Sequence, residues 1–195
     1  GAIVALLKMK VPFHFDHHVH YRPTSSYTMV TRAEPLKRVV WELDGQAAAE
    51  RYAQLIGKRS VSEIVASDFG RHPFGVLSGG GVFARSPNSV VDGKGLRFYC
   101  NVEAGTRLSL LEPGDIIKNA EEALASAGKY IGQVQGALLF NCVLRHLEMK
   151  ETPGLHQKFA DVFSGVQIAG CNTYGEELFT HHNQTLTALF VGAPA

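Results

Sequence analysis

Apolar positions recur every second residue in some stretches and every three to four in others, and these changes of period divide the chain into strands and helices. Residues 2–7, Ala-Ile-Val-Ala-Leu-Leu, and 39–43, Val-Val-Trp-Glu-Leu, read as buried strands with a polar, histidine-rich excursion between them. Asp44 stands where it would cap a helix over about 46–56, because Ala48, Tyr52, Leu55 and Ile56 fall at i, i+4, i+7 and i+8 and Gly57 follows as a left-handed C-cap. Ser60 and Glu63 have capping-box spacing for a short second helix through Ile64 and Val65 that ends before Gly70. Residues 81–85, 96–100 and 106–111 read as an antiparallel meander, separated by Ser-Pro-Asn, Asp-Gly-Lys-Gly and Glu-Ala-Gly turns.

In the second half, Gly114-Asp115 opens a third helix over about 116–127, with Ile116, Ile117, Ala120, Leu124 and Ala127 on one face and Gly128 closing it. The apolar run 137–143 reads as a central strand. Thr152 as cap and Pro153 at the first helical position begin a fourth helix to about 163, presenting Leu155, Phe159, Val162 and Phe163 on one face. Strands at 166–169 and 186–191 complete the chain. Helices and strands mix without strict βαβ alternation, which predicts an α+β fold: a mixed, largely antiparallel sheet with packed helices. The core expected from these faces contains Trp41, Leu43, Leu55, Leu124, Leu139, Phe140, Phe159, Phe163 and Leu189.

Composition narrows the function classes. The 195 residues suit one large domain or one domain with part of a second, and 45% apolar with 19% charged residues is ordinary globular chemistry. A net charge of +1 offers no field for gathering phosphates, so a nucleic-acid partner is not expected. No apolar run approaches the length of a bilayer span, and no membrane partner is expected. Three cysteines, Cys100, Cys142 and Cys171, make no paired framework and suit reduced thiols in a cytoplasm. Asn183-Gln184-Thr185 fits a glycosylation sequon that has no role in that compartment. A first residue of Gly rather than Met is what a processed or expressed piece of a longer chain would show.

Several stretches could carry chemistry. In an extended 13–20 segment, His14, Asp16, His18 and His20 share one face while Phe13, Phe15, His17 and Val19 share the other. Alternating imidazoles can hold a transition metal, but no zinc signature accompanies them, and pH-sensitive polar packing explains the same pattern. Leu77-Ser78-Gly79-Gly80-Gly81 could form an anion nest, yet it leads into a strand rather than a helix, as a tight turn would. Cys142 has Arg145 and His146 close by in sequence, which is either an activated thiol or a buried structural cysteine without a nucleophile signature. The stretches 170–178 and 180–185 crowd amides, a phenol, a carboxylate and imidazoles between two apolar strands, suiting either a hydrogen-bonding pocket at a sheet end or a self-satisfied hairpin.

An ordered series of motifs runs through the chain: Val40-Trp41-Glu42-Leu43-Asp44-Gly45-Gln46-Ala47-Ala48, Phe74-Gly75-Val76, Phe98-Tyr99-Cys100-Asn101-Val102, Glu112-Pro113-Gly114-Asp115, Phe140-Asn141-Cys142-Val143-Leu144-Arg145, Asn172-Thr173-Tyr174-Gly175-Glu176 and His182-Asn183-Gln184-Thr185-Leu186-Thr187. In this the sequence resembles the FIST sensory domain family, specifically its C-terminal half. The resemblance implies that residues 24–195 form the FIST C-type ligand-binding domain and residues 1–23 the tail of the N-terminal half, most of which lies outside the chain. It further implies a cytoplasmic sensor that binds a small molecule, an amino acid or related metabolite, and signals to a histidine kinase, cyclase or chemotaxis protein without catalysis. Carried over by position, the ligand-binding residues are Cys142, Arg145, Tyr174, Gly175, Glu176, His182, Asn183 and Gln184. Of these, Tyr174, Glu176, His182, Asn183 and Arg145 are expected to line one concavity with Cys142 at its floor. The short spacing from Glu176 to His182 resembles the branch containing haem-bound nitric-oxide sensors, which makes His182 the axial ligand in an alternative reading with haem as cofactor. Tyr21-Arg22-Pro23 departs from relatives that often carry Gly-Trp before the proline.

Overall fold

The structure, a computed structural model, describes residues 3–178 and 180–194. Its strands are β1 (Phe13–Val19), β2 (Tyr21–Glu34), β3 (Val39–Leu43), β4 (Gln46–Ala47), β5 (Phe74–Ser78), β6 (Gly81–Arg85), β7 (Pro87–Val91), β8 (Gly95–Phe98), β9 (Arg107–Pro113), β10 (Val134–Cys142), β11 (Gln167–Thr173), β12 (Glu176–Leu178), β13 (Thr180–His182) and β14 (Thr185–Gly192). The helices are α1 (Ala48–Leu55), α2 (Ala66–Arg71), α3 (Ile116–Ile131), α4 (Val143–Glu151) and α5 (Leu155–Val162). The fold is α+β, and every strand pair but β10–β11 is antiparallel.

Two sheets carry the architecture. The smaller has the order β1-β14-β10-β11 and the larger β6-β5-β9-β2-β3-β8-β7, with β4 beside β3 and β12–β13 as a separate hairpin. One face of the small sheet is covered by α3 and α5. There Ala120, Ala123 and Ala127 of α3 and Phe163 meet Leu139, Leu186, Ala188 and Phe190, all buried. The large sheet packs under α1 and α2 on a second core that includes Leu43, Tyr52, Phe74, Leu96, Phe98 and Leu108. Tyr52 ties those helices together, its hydroxyl 3.0 and 3.1 Å from the carbonyls of Asp68 and His72.

The chain crosses between the sheets at one residue, His20, which separates β1 from β2. Gly114 seals this junction: its N–H donates to the His20 carbonyl at 2.9 Å, and a Cβ there would lie 2.3 Å from that oxygen. Asp115 then caps α3, its Oδ1 accepting from the N–H groups of Ile117 and Lys118 at 2.8 and 3.0 Å. Position 23 lies inside β2, and β1 pairs with β14 along its whole length, so residues 13–23 are woven into both sheets.

Several expectations are corrected. The opening strand is absent: Ala2 lies outside the described residues, and Ile3, Val4 and Leu6 are almost fully exposed without strand pairing. The histidine-rich stretch forms the strand instead, because it is the segment that finds a partner in β14. Asp44 caps no helix. It sits with Gly45 at positive φ in the β3–β4 hairpin, and its carboxylate accepts from Thr28, Met29 and Arg51. The second helix is only a 3-10 turn at Val61–Glu63, since the Glu63 carboxylate caps the Arg59 N–H; the helix proper is α2, which includes Gly70. Thr152 closes α4, and Gly154 rather than Thr152 begins α5. In the expected core Leu43, Leu139 and Phe163 are buried, whereas Trp41, Leu55, Leu124, Phe140, Phe159 and Leu189 are half-buried at its margins. The Gly-rich 77–81 stretch is the tight β5–β6 turn, with Gly79 and Gly80 at positive φ.

Candidate functional site

A cavity of about 680 Å³ opens between α2, the start of β7 and α4. Its walls include Phe69, Tyr99, Leu144 and Leu147, and its polar floor is formed by Tyr21, Glu148 and Gln184. Each polar group arrives by a different route. Tyr21 follows the sheet crossing, Glu148 projects from α4, and Gln184 occupies the turn between β13 and β14.

The floor is held by a chain of hydrogen bonds running into the interior. Tyr21 donates its hydroxyl to the Gly70 carbonyl at 2.6 Å and lies 3.3 Å from Glu148 Oε2; Gln184 Nε2 donates to the same carbonyl at 3.2 Å. His20 Nε2 lies 2.9 and 3.1 Å from the two Glu148 oxygens, and Arg145 Nη1 lies 2.8 Å from His20 Nδ1. A guanidinium can only donate, so His20 Nδ1 is the acceptor and its proton sits on Nε2, donated to Glu148. Burial holds the His20 imidazole below its ordinary pKa, against the pull of Glu148, consistent with this neutral tautomer. Arg145 is fully buried and also donates to Asn119 Oδ1 at 3.2 Å and Asn141 Oδ1 at 3.0 Å. Burial pulls it down to about 10, with Glu148 opposing most strongly, so it stays charged at neutral pH.

Behind Arg145 lies a second buried group. Glu176 is 3% exposed, accepts from the Thr173 hydroxyl at 2.5 Å, and receives the Cys142 thiol and the Thr185 N–H. Burial raises its carboxyl to about 7. Cys142 is pushed up to about 11, first by burial and then by Glu176, which is the opposite of an activated nucleophile. His146, the other candidate activator, bonds His156 across α4 and α5 at 3.0 Å.

The expected concavity therefore divides. Cys142, Arg145 and Glu176 are brought together, but in the interior rather than along a pocket. Tyr174 is 86% exposed and does not line the cavity; Gly175 packs so closely on His181 that a Cβ would meet Nε2 at 2.1 Å. Asn183 is wholly buried, its N–H donating to Ala84 O at 3.3 Å and its Oδ1 accepting from Ser86 N–H at 3.4 Å. Only Gln184 of the expected set lines the cavity. His20, Tyr21 and Glu148 were not among the expected site residues; the signal available was the departure at Tyr21-Arg22-Pro23.

His182 has no exposed surface. Its ring packs against His17, 5.1 Å between centroids, and Phe83 at 5.8 Å, which also stack on each other at 5.0 Å, and burial lowers it to about 4. Both His182 ring nitrogens are buried without a partner, but the ring is fully covered and the cavity does not reach it, so this arrangement has no room for a haem there. On β1, His14 and His18 do share a face with Asp16, at 3.9 and 3.7 Å, but His20 turns away to Glu148. Among the described residues no group of three or more His, Cys, Asp or Glu is arranged to hold a metal ion, and no helix is long and apolar enough to cross a membrane.

Fold and cavity together define an α+β module with a binding-sized cleft at the junction of two sheets. The family model of the FIST C domain matches residues 48–178, and the chain belongs to that family. The family is associated with sensory signal transduction and is not an enzyme family. No curated protein and no solved structure matches the chain.

Proposed function

We propose that this chain is the ligand-binding module of a cytoplasmic sensory protein, and that its ligand, an amino acid or related metabolite, occupies the cleft between α2 and α4. The observation that carries this reading is the cleft floor. Tyr21 and Gln184 are both more than nine-tenths buried, yet with Glu148 they form a polar surface against a cavity large enough for a metabolite. Gln184 also holds a left-handed backbone, φ 57°, in the turn between β13 and β14, which sets its side chain at the cleft. In this reading the segment before Thr24 supplies Tyr21 to the floor and His20 to the support behind Glu148, while the domain from Thr24 supplies the walls. Three free cysteines, one of them exposed, suit a reducing compartment. A kinase, cyclase or chemotaxis protein receives the signal.

Thermal-shift screening against amino acids and common metabolites tests the proposal, since a ligand at about 100 times its dissociation constant stabilises by about 2.7 kcal/mol. Leu147→Trp fills the cleft from an exposed position and is expected to abolish the shift without lowering the unliganded melting temperature. A shift that survives Leu147→Trp would place the ligand elsewhere.

A further inference from the structure

Two polar groups on the cleft floor, Glu148 and Gln184, offer acceptor oxygens with free capacity. Glu148, whose side chain is 31% exposed, takes a hydrogen bond from His20, with the Tyr21 hydroxyl 3.3 Å away but donated to Gly70, and a carboxylate has about four acceptor positions, which leaves room for further donors. Gln184 is 1% exposed and spends its Nε2 on Gly70, while its Oε1 is buried without a partner. The buried cation behind them, Arg145, does not line the cleft; it stands behind His20 and is out of reach of a bound anion. Arg71 and Lys150 do line the cleft, but both are exposed.

We infer that the inner end of the cleft is an ammonium subsite, where Glu148 and the unpaired Oε1 of Gln184 receive the N–H donors of a primary amine. The apolar body of the ligand lies against Phe69, Leu144 and Leu147, and a carboxylate, where the ligand has one, faces Arg71 and Lys150. A carboxylate placed innermost would face Glu148 across an apolar wall and leave Gln184 Oε1 unpaired, two penalties that an ammonium removes. This assignment rests on the reading of the cleft as the ligand site and adds the ligand's polarity and direction.

Calorimetry on the whole chain with two matched trios tests it: phenylalanine, phenethylamine and 3-phenylpropanoate; leucine, 3-methylbutylamine and 4-methylpentanoate. Amino acids and amines are expected to bind, and the deaminated acids to bind at least about tenfold more weakly, because a charge-assisted hydrogen bond is lost. Glu148→Gln keeps an acceptor oxygen for His20 and is expected to weaken amine binding by about tenfold or more. The wild-type trios decide the matter even if that variant fails to fold. Acids that bind as tightly as amines overturn the ammonium subsite and leave the cleft reading standing. If none of the six binds, the ammonium assignment falls, and the cleft reading falls with it only if the wider metabolite screen is also empty.

Discussion

Glu176 and His182 titrate in opposite senses over the same pH range, and separating them tests the electrostatics of the interior. An unfolded Glu ionises near 4.5, while the buried Glu176 carboxyl keeps its proton to about 7. Between those values the folded state binds more protons, so the contribution of Glu176 is fully present below pH 4.5 and lost as pH rises to 7. At 1.36 kcal/mol per pH unit the gap corresponds to about 3 kcal/mol. His182 runs the other way. Unfolded it takes a proton near 6.5, but folded it resists until about 4, so its contribution is present above 6.5 and lost, again by about 3 kcal/mol, as pH falls to 4. The wild type therefore shows little of either slope between 4.5 and 6.5 from this pair. Urea denaturation of wild type and Glu176→Gln from about pH 4 to about pH 8 at fixed ionic strength isolates one of them. The stability of wild type minus variant is expected to fall by about 3 kcal/mol across the window, and His182→Phe is expected to give the mirror-image difference. A difference flat to within about 0.5 kcal/mol for Glu176→Gln would refute the argument, because it would mean the carboxyl ionises alike folded and unfolded.

Arg145→Met leaves His20 Nδ1, Asn119 Oδ1 and Asn141 Oδ1 without their donor and is expected to destabilise by about 3–5 kcal/mol in urea melts. Asp115→Ala removes the acceptor for two N–H groups at the start of α3 and is expected to cost about 1 kcal/mol by the same assay. Native-state alkylation followed by mass spectrometry is expected to modify Cys171 and spare Cys100 and Cys142, which are buried and whose thiols burial pushes up to about 11.

What the sequence made legible depended on how local the signal was. The central strand β10 and the capped, periodic helix α3 were readable because their apolar runs and cap lie within a few residues of one another. Helix α4 was missed because it grows directly from the end of β10. Its N-cap position is Cys142, which gives no side-chain cap, so the apolar run of the strand passes into the helix without punctuation. Strand β2 was missed for a different reason: its 14 residues include Pro23 and a run of Thr and Ser, and a register shift between Pro23 and Tyr27 breaks the alternation that identifies a strand. At Asp44 two local signals competed, helix cap and Asp-Gly turn, and the pairing of β3 with β4 decided for the turn.

The site was less legible because its contacts join residues more than 100 positions apart. His20 and Glu148 are 128 residues apart, Arg145 and His20 125, and Gln184 and Gly70 114. Residue types named Arg145, Glu176 and Gln184 as chemically unusual, but only the crossing at His20 decides which of them meets the cleft and which is buried behind it. That crossing also gives the cleft its place in signalling under the reading proposed here. A ligand shifts a conformational balance only by binding one arrangement more tightly than another. Glu148, on the cleft floor, accepts a hydrogen bond from His20 at the joint between the sheets, and His20 in turn accepts from Arg145, which holds α3 through Asn119 and β10 through Asn141. Charge placed on Glu148 therefore acts on His20, the single residue that joins β1 of one sheet to β2 of the other, rather than on a loop that could absorb it.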